Sequence, residues 1–153
     1  VDRLLQVGDG GQDGELTLID GGDFPVDVSA VVGNSGSMGK VTVDGENSSL
    51  MVTTQLNIGN GGVGEMHIQN GGTVTSNLGG INGTTSSTST VNIDGAGSSW
   101  TTNSFSLGNR STSLNILNGG PYPVPTATLG PGQKQPPQQP SPVKDQSGQL
   151  LET

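Results

Sequence analysis

The 153-residue chain contains no cysteine and few aromatic residues. Without cysteine, disulfide bonds, thiolate chemistry and cysteine-ligated metals are excluded. Hydrophobic residues make up 28% of the chain and aromatic residues 3%, whereas glycine alone occupies 27 positions. A conventional globular core needs many large apolar side chains to offset the conformational entropy lost on folding. A solenoid needs fewer, because each coil buries only a few inward side chains against its neighbours.

Basic residues and long apolar runs are also scarce. Residues 1–120 hold 11 acidic and three basic side chains, and such an acidic surface repels nucleic acid phosphates and anionic lipid headgroups. We therefore expect no nucleic acid partner and no membrane insertion. No apolar run approaches the ~18 residues that span a bilayer. The first residue is valine, which suggests either removal of a signal segment or a fragment of a longer protein.

What the chain has instead is an internal repeat. The stretch LNIGNGGVGEMHIQNGG at 56–72 has one copy at 5–22 and a shorter one at 105–120, and KVTVDGENSSL at 40–50 recurs as TVNIDGAGSSW at 90–100. These copies define a unit of 50 to 51 residues. A half-period is visible as well, since Val7 and Leu18 are echoed half a unit later by Val32 and Val43. A half-unit of about 25 residues is close to one coil of a parallel β-helix and within the range of solenoid repeats.

Each half-unit contains a short alternating run that ends in a turn signal. In Leu16-Thr17-Leu18 and Met66-His67-Ile68 the aliphatic residues would share one face of a strand and the polar residue the other. The DG, NG and GG pairs that follow supply the positive φ angles of tight turns. We therefore predict an all-β fold for residues 1–120, a parallel β-solenoid of about five coils. In the central coil the inward residues would be Leu56, Ile58, Met66 and Ile68.

Equivalent positions in successive coils predict contacts along the stack. The residue after the first glycine of most half-units is acidic or an amide, namely Asp9, Asn34, Asn60 and Asn109. Stacked coils would bring these side chains together as a hydrogen-bonded ladder, which should break at Ile81-Asn82-Gly83 because the order of residues is reversed there. Trp100 is equivalent to Leu50, so we expect it to fill space inside or at a corner rather than bind a ligand.

Residues 121–153 have a different composition. Eight of the nine prolines fall between Pro121 and Pro142, a pattern that favours an extended polyproline conformation. We predict an extended or disordered C-terminal tail. The alternative is an arm anchored on a neighbouring subunit by its apolar residues, which are Tyr122, Val124, Leu129, Leu150 and Leu151.

The repeat resembles one shared by passenger domains of bacterial autotransporters (type V secretion) and by PEP-CTERM-associated extracellular proteins. The resemblance covers residues 5–120 and depends most on IGN at 58–60, NGG at 70–72 and DGAGSSW at 94–100. It implies a right-handed parallel β-helix, export, and a role at or beyond the cell surface. The resemblance provides no catalytic residues to transfer. The proline-rich segment departs from it, and residues 121–153 contain neither a translocator barrel nor a sorting motif.

Two glycine-rich patterns suggest ligand sites. Gly59, Gly61 and Gly64 satisfy GxGxxG, but dinucleotide binding requires a helix next, whereas EMHI at 65–68 predicts a strand, so we interpret these glycines as turn residues. The acidic cluster in GDGGQDGE resembles calcium-binding β-roll turns. In the next copy the positions of Asp9, Asp13 and Glu15 become Asn60, Val63 or a gap, and Glu65, so a periodic calcium ladder is not encoded. A single calcium ion remains an alternative near Asp9, Asp13, Glu15 or Asp20.

A polysaccharide-active enzyme is the competing class of function, since β-helices also host lyases and glycosidases. Such sites need paired carboxylates or a basic catalyst beside metal-binding acids. Asp44 and Asp94 could stack in space, but both begin DG turns. His67, the only histidine, would be the outward residue of its strand, equivalent to Thr17 and Asn115. We therefore predict no enzyme activity, no catalytic residue, no cofactor-binding residue and no metal ligand.

These observations favour a non-catalytic structural protein at the bacterial cell surface or outside the cell. Both ends of the predicted stack lack an obvious polar cap, so their backbone groups would recruit another chain. We expect self-association through end-to-end stacking into a fibre, with the tail bridging subunits. The alternative is a fragment of an adhesin passenger that attaches to host surfaces or glycans.

Overall fold

A computed structural model describes residues 4–108, 111–118 and 127–129, the last of these by the backbone alone. These residues form strands and turns without any helix, and no described segment is a helix able to cross a membrane. The twelve strands are β1 (Leu4–Val7), β2 (Gly14–Leu18), β3 (Asp23–Val26), β4 (Ser29–Asn34), β5 (Met38–Asp44), β6 (Ser49–Asn60), β7 (Val63–Gln69), β8 (Thr73–Ile81), β9 (Ser89–Asp94), β10 (Ser99–Leu107), β11 (Thr112–Leu117) and β12 (Ala127–Leu129).

The strands form two parallel sheets that run the length of a β-solenoid. One sheet has the order β1-β4-β6-β8-β10-β12 with β3 also paired to β6, and the other has the order β11-β9-β7-β5-β2. In the second sheet Leu16 pairs with Val41, Val41 with Met66, and Met66 with Val91. The register therefore advances by one half-unit of the sequence repeat per layer, which confirms the predicted coil length. Five stacked strands are joined by about four turns of the chain.

Each coil has three straight segments, because the first sheet is interrupted by a corner. From Ser49 to Ile58 of β6, outward and buried residues alternate except at Thr53 and Thr54, which are both exposed. The register of β6 to β8 shifts between Val52 and Gln55. Two consecutive exposed residues also occur at the equivalent position along β8 and β10. We name the resulting surfaces face one (residues 23–26, 49–52, 73–76 and 99–102), face two (4–7, 29–34, 55–60, 78–81 and 104–107) and face three (β2, β5, β7, β9 and β11).

The core consists of rows of aliphatic side chains that continue from coil to coil. The four inward residues predicted for the central coil, Leu56, Ile58, Met66 and Ile68, are all 0% exposed, which confirms the prediction. The equivalence of Trp100 and Leu50 is also confirmed, since both pair with Val74. Trp100 is fully buried, and its indole Nε1 donates to the hydroxyl of Ser76 at 3.0 Å.

Glycine at position 79 makes room for the large indole of Trp100. Gly79 lies between Leu56 and Phe105 in the register of the sheet. A Cβ atom added there would lie 2.7 Å from Cζ2 of Trp100, which is too close for a real contact. The Phe105 ring packs edge-on to Trp100, with centroids 5.3 Å apart, a favourable arrangement for two aromatic rings. The last full coil is therefore filled by two aromatic residues where the two preceding coils have Leu50 and Leu56, and then Val74 and Gly79.

A second set of glycines lets two strands approach at the corner between faces two and three. Gly33 has φ +74°, and a Cβ atom on it would overlap the carbonyl oxygen of Val63. Gly39 has no positive φ, yet a Cβ atom on it would overlap the carbonyl oxygen of Val7 and the backbone nitrogen of Gly33. All of these obstacles are backbone atoms, so no side-chain rearrangement could relieve them.

The repeated DGENSSL and DGAGSSW motifs close the turn after face three. In the first copy the Ser48 hydroxyl donates to the carbonyl oxygen of Asp44 at 2.8 Å and accepts from the backbone nitrogen of Gly21 at 3.1 Å. Ser98 repeats both bonds with Asp94 and Gly71, at 2.6 and 3.0 Å. The serine thus fastens its own turn and the turn of the preceding coil, which satisfies polar groups that would otherwise be buried without partners.

One strand falls within the segment predicted as a tail. The proline-free triplet Ala127–Leu129 forms β12, which pairs in parallel with Phe105–Leu107 of β10. Four of the proposed anchor residues, Tyr122, Val124, Leu150 and Leu151, lie outside the described residues, as does the side chain of Leu129. The division of the chain at residue 120 therefore stays a prediction.

Candidate functional site

The predicted amide ladder forms along the turn after face two. The side-chain amide of Asn34 donates to the carboxylate of Asp9 at 2.9 Å, and that of Asn60 donates to the side-chain oxygen of Asn34 at 3.0 Å. The ladder ends where predicted, because Ile58 pairs with Ile81 and this register puts Gly83, which has no side chain, opposite Asn60. Asn109, the last predicted member, lies outside the described residues.

A second ladder follows the end of face three and includes both carboxylates considered as an acid pair. Asp44 accepts from the side-chain amides of Asn70 at 2.7 Å and Gln69 at 2.8 Å. These bonds stabilise the carboxylate, so they hold the pKa of Asp44 below its ordinary value, with Asn70 contributing most. Asp94 accepts in the same way from the side-chain amide of Asn118 at 2.7 Å.

The spacing of Asp44 and Asp94 follows from the register of face three. Gln69 pairs with Asp44 on one side and with Asp94 on the other, so their backbones are two layers apart, or about 9.6 Å. This separation is near the upper limit of about 9.5 Å for the carboxyl groups of inverting glycosidases. As predicted, both residues begin turns, in which Gly45 and Gly95 have positive φ angles. Both carboxylates also accept from amide groups of the neighbouring layer.

His67 belongs to a third row, on the outer surface of face three. The register joins Thr17, Thr42, His67, Asn92 and Asn115, which confirms the predicted equivalents. Nδ1 of His67 lies 3.3 Å from the amide nitrogen of Asn92, whose oxygen accepts from Asn115 at 2.8 Å. Nε2 of His67 is 3.9 Å from the Glu65 carboxylate. The histidine is therefore outward but half-buried, packed within a row of polar side chains.

The four residues considered for calcium are distributed over several contacts. The Asp13 carboxylate accepts from the backbone nitrogen of Met38 at 2.8 Å, and Glu15 pairs with Lys40 at 3.0 Å. Asp9 accepts from the ladder residue Asn34, and Asp20 occupies a turn with φ +54°. Within the part of the chain that the structure describes, no three His, Asp or Glu residues are grouped closely enough to hold a metal ion.

The glycines that match a dinucleotide-binding pattern have two different roles. Gly59 and Gly61 have φ angles of +77° and +83°, as expected for turn residues. The same prediction is wrong for Gly64, which lies inside β7 without a positive φ; a Cβ atom on it would overlap the backbone nitrogen of Gly59. The strand β7 follows this loop, as predicted, so the loop is not followed by the helix whose N-terminus would face a phosphate.

Apolar side chains are exposed in the two end layers, whereas at the equivalent positions the middle layers have buried apolar residues or polar residues. On face three the first layer, β2, pairs only with β5, and the last, β11, only with β9 among the described strands. Leu114 and Ile116 are partly buried at one end and Leu16 at the other. These three residues end inward rows, whereas Ile19 and Leu117, at 53% and 51% exposed, end the outward row of Asp44, Gln69 and Asp94. The core rows are therefore open at both ends of the described stack.

Charge is divided unequally among the three faces. The outward residues of face three include four carboxylates and one lysine, which are Glu15, Asp44, Glu65, Asp94 and Lys40. The outward residues of faces one and two include one charged residue, Asp23. Composition alone did not reveal this division, although assigning each acidic residue to its place in the coil repeat would have shown it.

The fold defines this chain as a parallel β-solenoid repeat protein. Comparison with models of known protein families, with curated proteins and with solved structures finds no match. The surfaces of the solenoid that bear on its function are the two open end layers and the side faces.

Proposed function

We propose that this chain is a non-catalytic extracellular structural protein that stacks end to end on further copies to form a filament. The observation that carries this proposal is the exposure of the core at both end layers of face three. An edge strand presents unpaired backbone donors and acceptors. Here the edge also presents apolar side chains, so a further layer would satisfy both.

The two ends match each other in register. Ile19 directly follows β2, and the row that continues through Asp44, Gln69 and Asp94 ends at Leu117. Head-to-tail stacking in this register would place Leu117 of one copy against Ile19 of the next, with a layer spacing of ~4.8 Å. In the adjacent row Asn115 would meet Thr17, so an amide would meet a hydroxyl. Apolar would meet apolar and polar would meet polar.

On face two the outer edge of β10 already accepts a strand from the same chain. The triplet Ala127–Leu129 pairs with β10 in the same parallel arrangement as the strands within the stack. Completing the burial of each partly exposed leucine or isoleucine would contribute roughly 1 kcal/mol. The row ends include five such residues, which are Leu16, Ile19, Leu114, Ile116 and Leu117. These contributions must exceed the cost of association, so we expect filaments to form above a threshold concentration.

The test is electron microscopy of the purified chain over a range of concentrations. We expect filaments one solenoid wide, and we expect Leu117→Lys to abolish them, because a charged side chain would replace the apolar contact with Ile19 of the next copy. The matched control is Met38→Lys, since Met38 is 43% exposed on the side of the stack. Dispersed monomers at high concentration, or equal loss of filaments in both variants, would contradict the proposal.

The same open ends also fit a second candidate, a segment of a longer adhesin passenger in which further coils of the same chain cover β2 and β11. The resemblance of IGN, NGG and DGAGSSW to the autotransporter repeat favours this candidate. It predicts flanking repeats and a translocator in the complete gene, and binding of the isolated chain to cells or glycans. A gene without such flanking sequence would exclude it.

A further inference from the structure

The side of the stack formed by faces one and two is almost free of charge. We call its outward side chains the neutral surface; in its three central strands these are Ser49, Met51, Gln55, Asn57, Thr73, Thr75, Leu78, Ser99, Thr101, Ser104 and Ser106. The charged residues on this side are Asp23 and, in the corner between β3 and β4, Asp27, both in the first layers. Face three has the opposite character, because four of its outward residues are carboxylates.

Two large apolar side chains are exposed in the middle of the neutral surface. Met51 on face one is 52% exposed, and Leu78 at the edge of face two is 40% exposed. Their neighbours in the register are small or uncharged: Thr75 beside Met51, and Gln55 and Ser104 on either side of Leu78. Both residues lie in inner layers, so stacking at the ends of the solenoid would not cover them.

We infer that the neutral surface is a contact face for a second copy of this chain, lying side by side with the first. Residues 1–120 hold 11 acidic and three basic side chains, so two copies repel each other wherever acidic surfaces meet. Contact through the neutral surface keeps face three of each copy turned outward. It is thus the arrangement in which identical acidic rods approach with the least repulsion while burying Met51 or Leu78.

The dimensions of the surface predict a weak contact. Five layers span about 19 Å along the stack, and the 12 residues of β6 span about 40 Å across it. The corner at Thr53 and Thr54 divides this width, so a flat partner covers about half of the product, or roughly 400 Å². A standard interface buries about 800 Å² on each partner. We therefore expect a dissociation constant of about 0.1 to 1 mM for isolated pairs.

Sedimentation equilibrium up to about 1 mM tests the inference. It is done in the Leu117→Lys background, so that end-to-end stacking does not contribute. Met51→Glu places a carboxylate on face one and Leu78→Glu places one on face two. Whichever of these two substitutions lies on the face that pairs should weaken dimerisation at least tenfold. Higher salt should strengthen dimerisation of the parent chain, because it screens the acidic faces. Thr42→Glu, on the outward side of face three, is the control and should leave the constant unchanged.

Three outcomes would overturn the inference. The parent chain could remain a monomer at the highest concentration, including the case in which it instead binds an uncharged polysaccharide. All three glutamate variants could weaken dimerisation equally, which would indicate a general charge effect. Both Met51→Glu and Leu78→Glu could leave dimerisation unchanged. Circular dichroism of each variant establishes that it is folded. End-to-end stacking determines the length of filaments of the parent chain, so this length shows whether stacking has failed independently of the side-by-side contact.

Discussion

The substitution Gly39→Ala should destabilise the solenoid far more than its single added methyl group suggests. The new Cβ atom would overlap the carbonyl oxygen of Val7 and the backbone nitrogen of Gly33. Overpacking by side chains typically costs about 1–3 kcal/mol. Here the obstacles are backbone atoms in two neighbouring layers, so relief requires separating paired strands. We expect a loss of at least about 4 kcal/mol, which belongs to the exceptional class of single substitutions.

The matched control is Gly36→Ala. Gly36 has φ +82°, but a Cβ atom there would have no neighbour within 4 Å. Its cost is therefore the left-handed backbone conformation alone, about 1–2 kcal/mol. Gly39 is the reverse case, with close neighbours and no positive φ. The difference between the two variants isolates the close approach of the strands from the general conformational freedom of glycine.

Urea unfolding is the assay, followed by two probes. Far-UV circular dichroism reports on all the strands. The fluorescence of Trp100, the only tryptophan and fully buried, reports on the last full coil. Because stacked repeats can lose cooperativity, we expect Gly39→Ala to lower the circular dichroism midpoint more than the fluorescence midpoint. The reasoning would be refuted if Gly39→Ala were no less stable than Gly36→Ala.

Three further predictions concern hydrogen bonds. Ser76→Ala leaves the buried Nε1 of Trp100 without its acceptor and should cost about 1–3 kcal/mol in urea unfolding; an unchanged midpoint would contradict this. Asn34→Ala removes two ladder bonds at the surface and should cost about 1 kcal/mol, whereas a change below the error would show that water replaces the ladder. Because the pKa of Asp44 is lowered in the folded protein, its carboxylate should stabilise the fold at pH values above the pKa of the unfolded state. This contribution should be lost as the pH falls through the pKa of the folded state. Asn70→Ala should raise that pKa in an NMR titration, and an unchanged titration would assign the shift elsewhere.

Much of the stacking could be predicted from the sequence because a parallel solenoid places equivalent residues directly above one another. The half-unit spacing between Val7 and Val32, or between Ile68 and Ile93, is both a pattern in the chain and a pairing between strands. For the same reason the ladder from Asp9 to Asn60 could be predicted before its distances were known. Periodicity thus predicts contacts between neighbouring coils.

Features that no fixed spacing in the sequence relates could not be predicted in this way. Whether Thr53 and Thr54 continue a strand or turn a corner depends on the path of the whole coil, and neither residue is a strong turn former. Gly79 gives no local signal that it faces the Trp100 indole. The strand β12 lies among prolines, which weakens its sequence signal, and its partner in β10 is nearer in the chain than one full coil length. The match between the two exposed ends follows only from the register, which places Ile19 and Leu117 at opposite ends of one row.

The sequence by itself determined that the chain is a repeat, how long a coil is, which residues face inward, and which polar residues meet between layers. These properties follow from two periods, the alternation of side chains within a strand and the half-unit repeat between strands. Only the tertiary structure decided that a coil has three segments, that Gly39 and Gly64 are needed for close approach rather than for turning, and that acidic residues collect on one face. These properties depend on where the chain bends, which brings together residues that no fixed spacing relates.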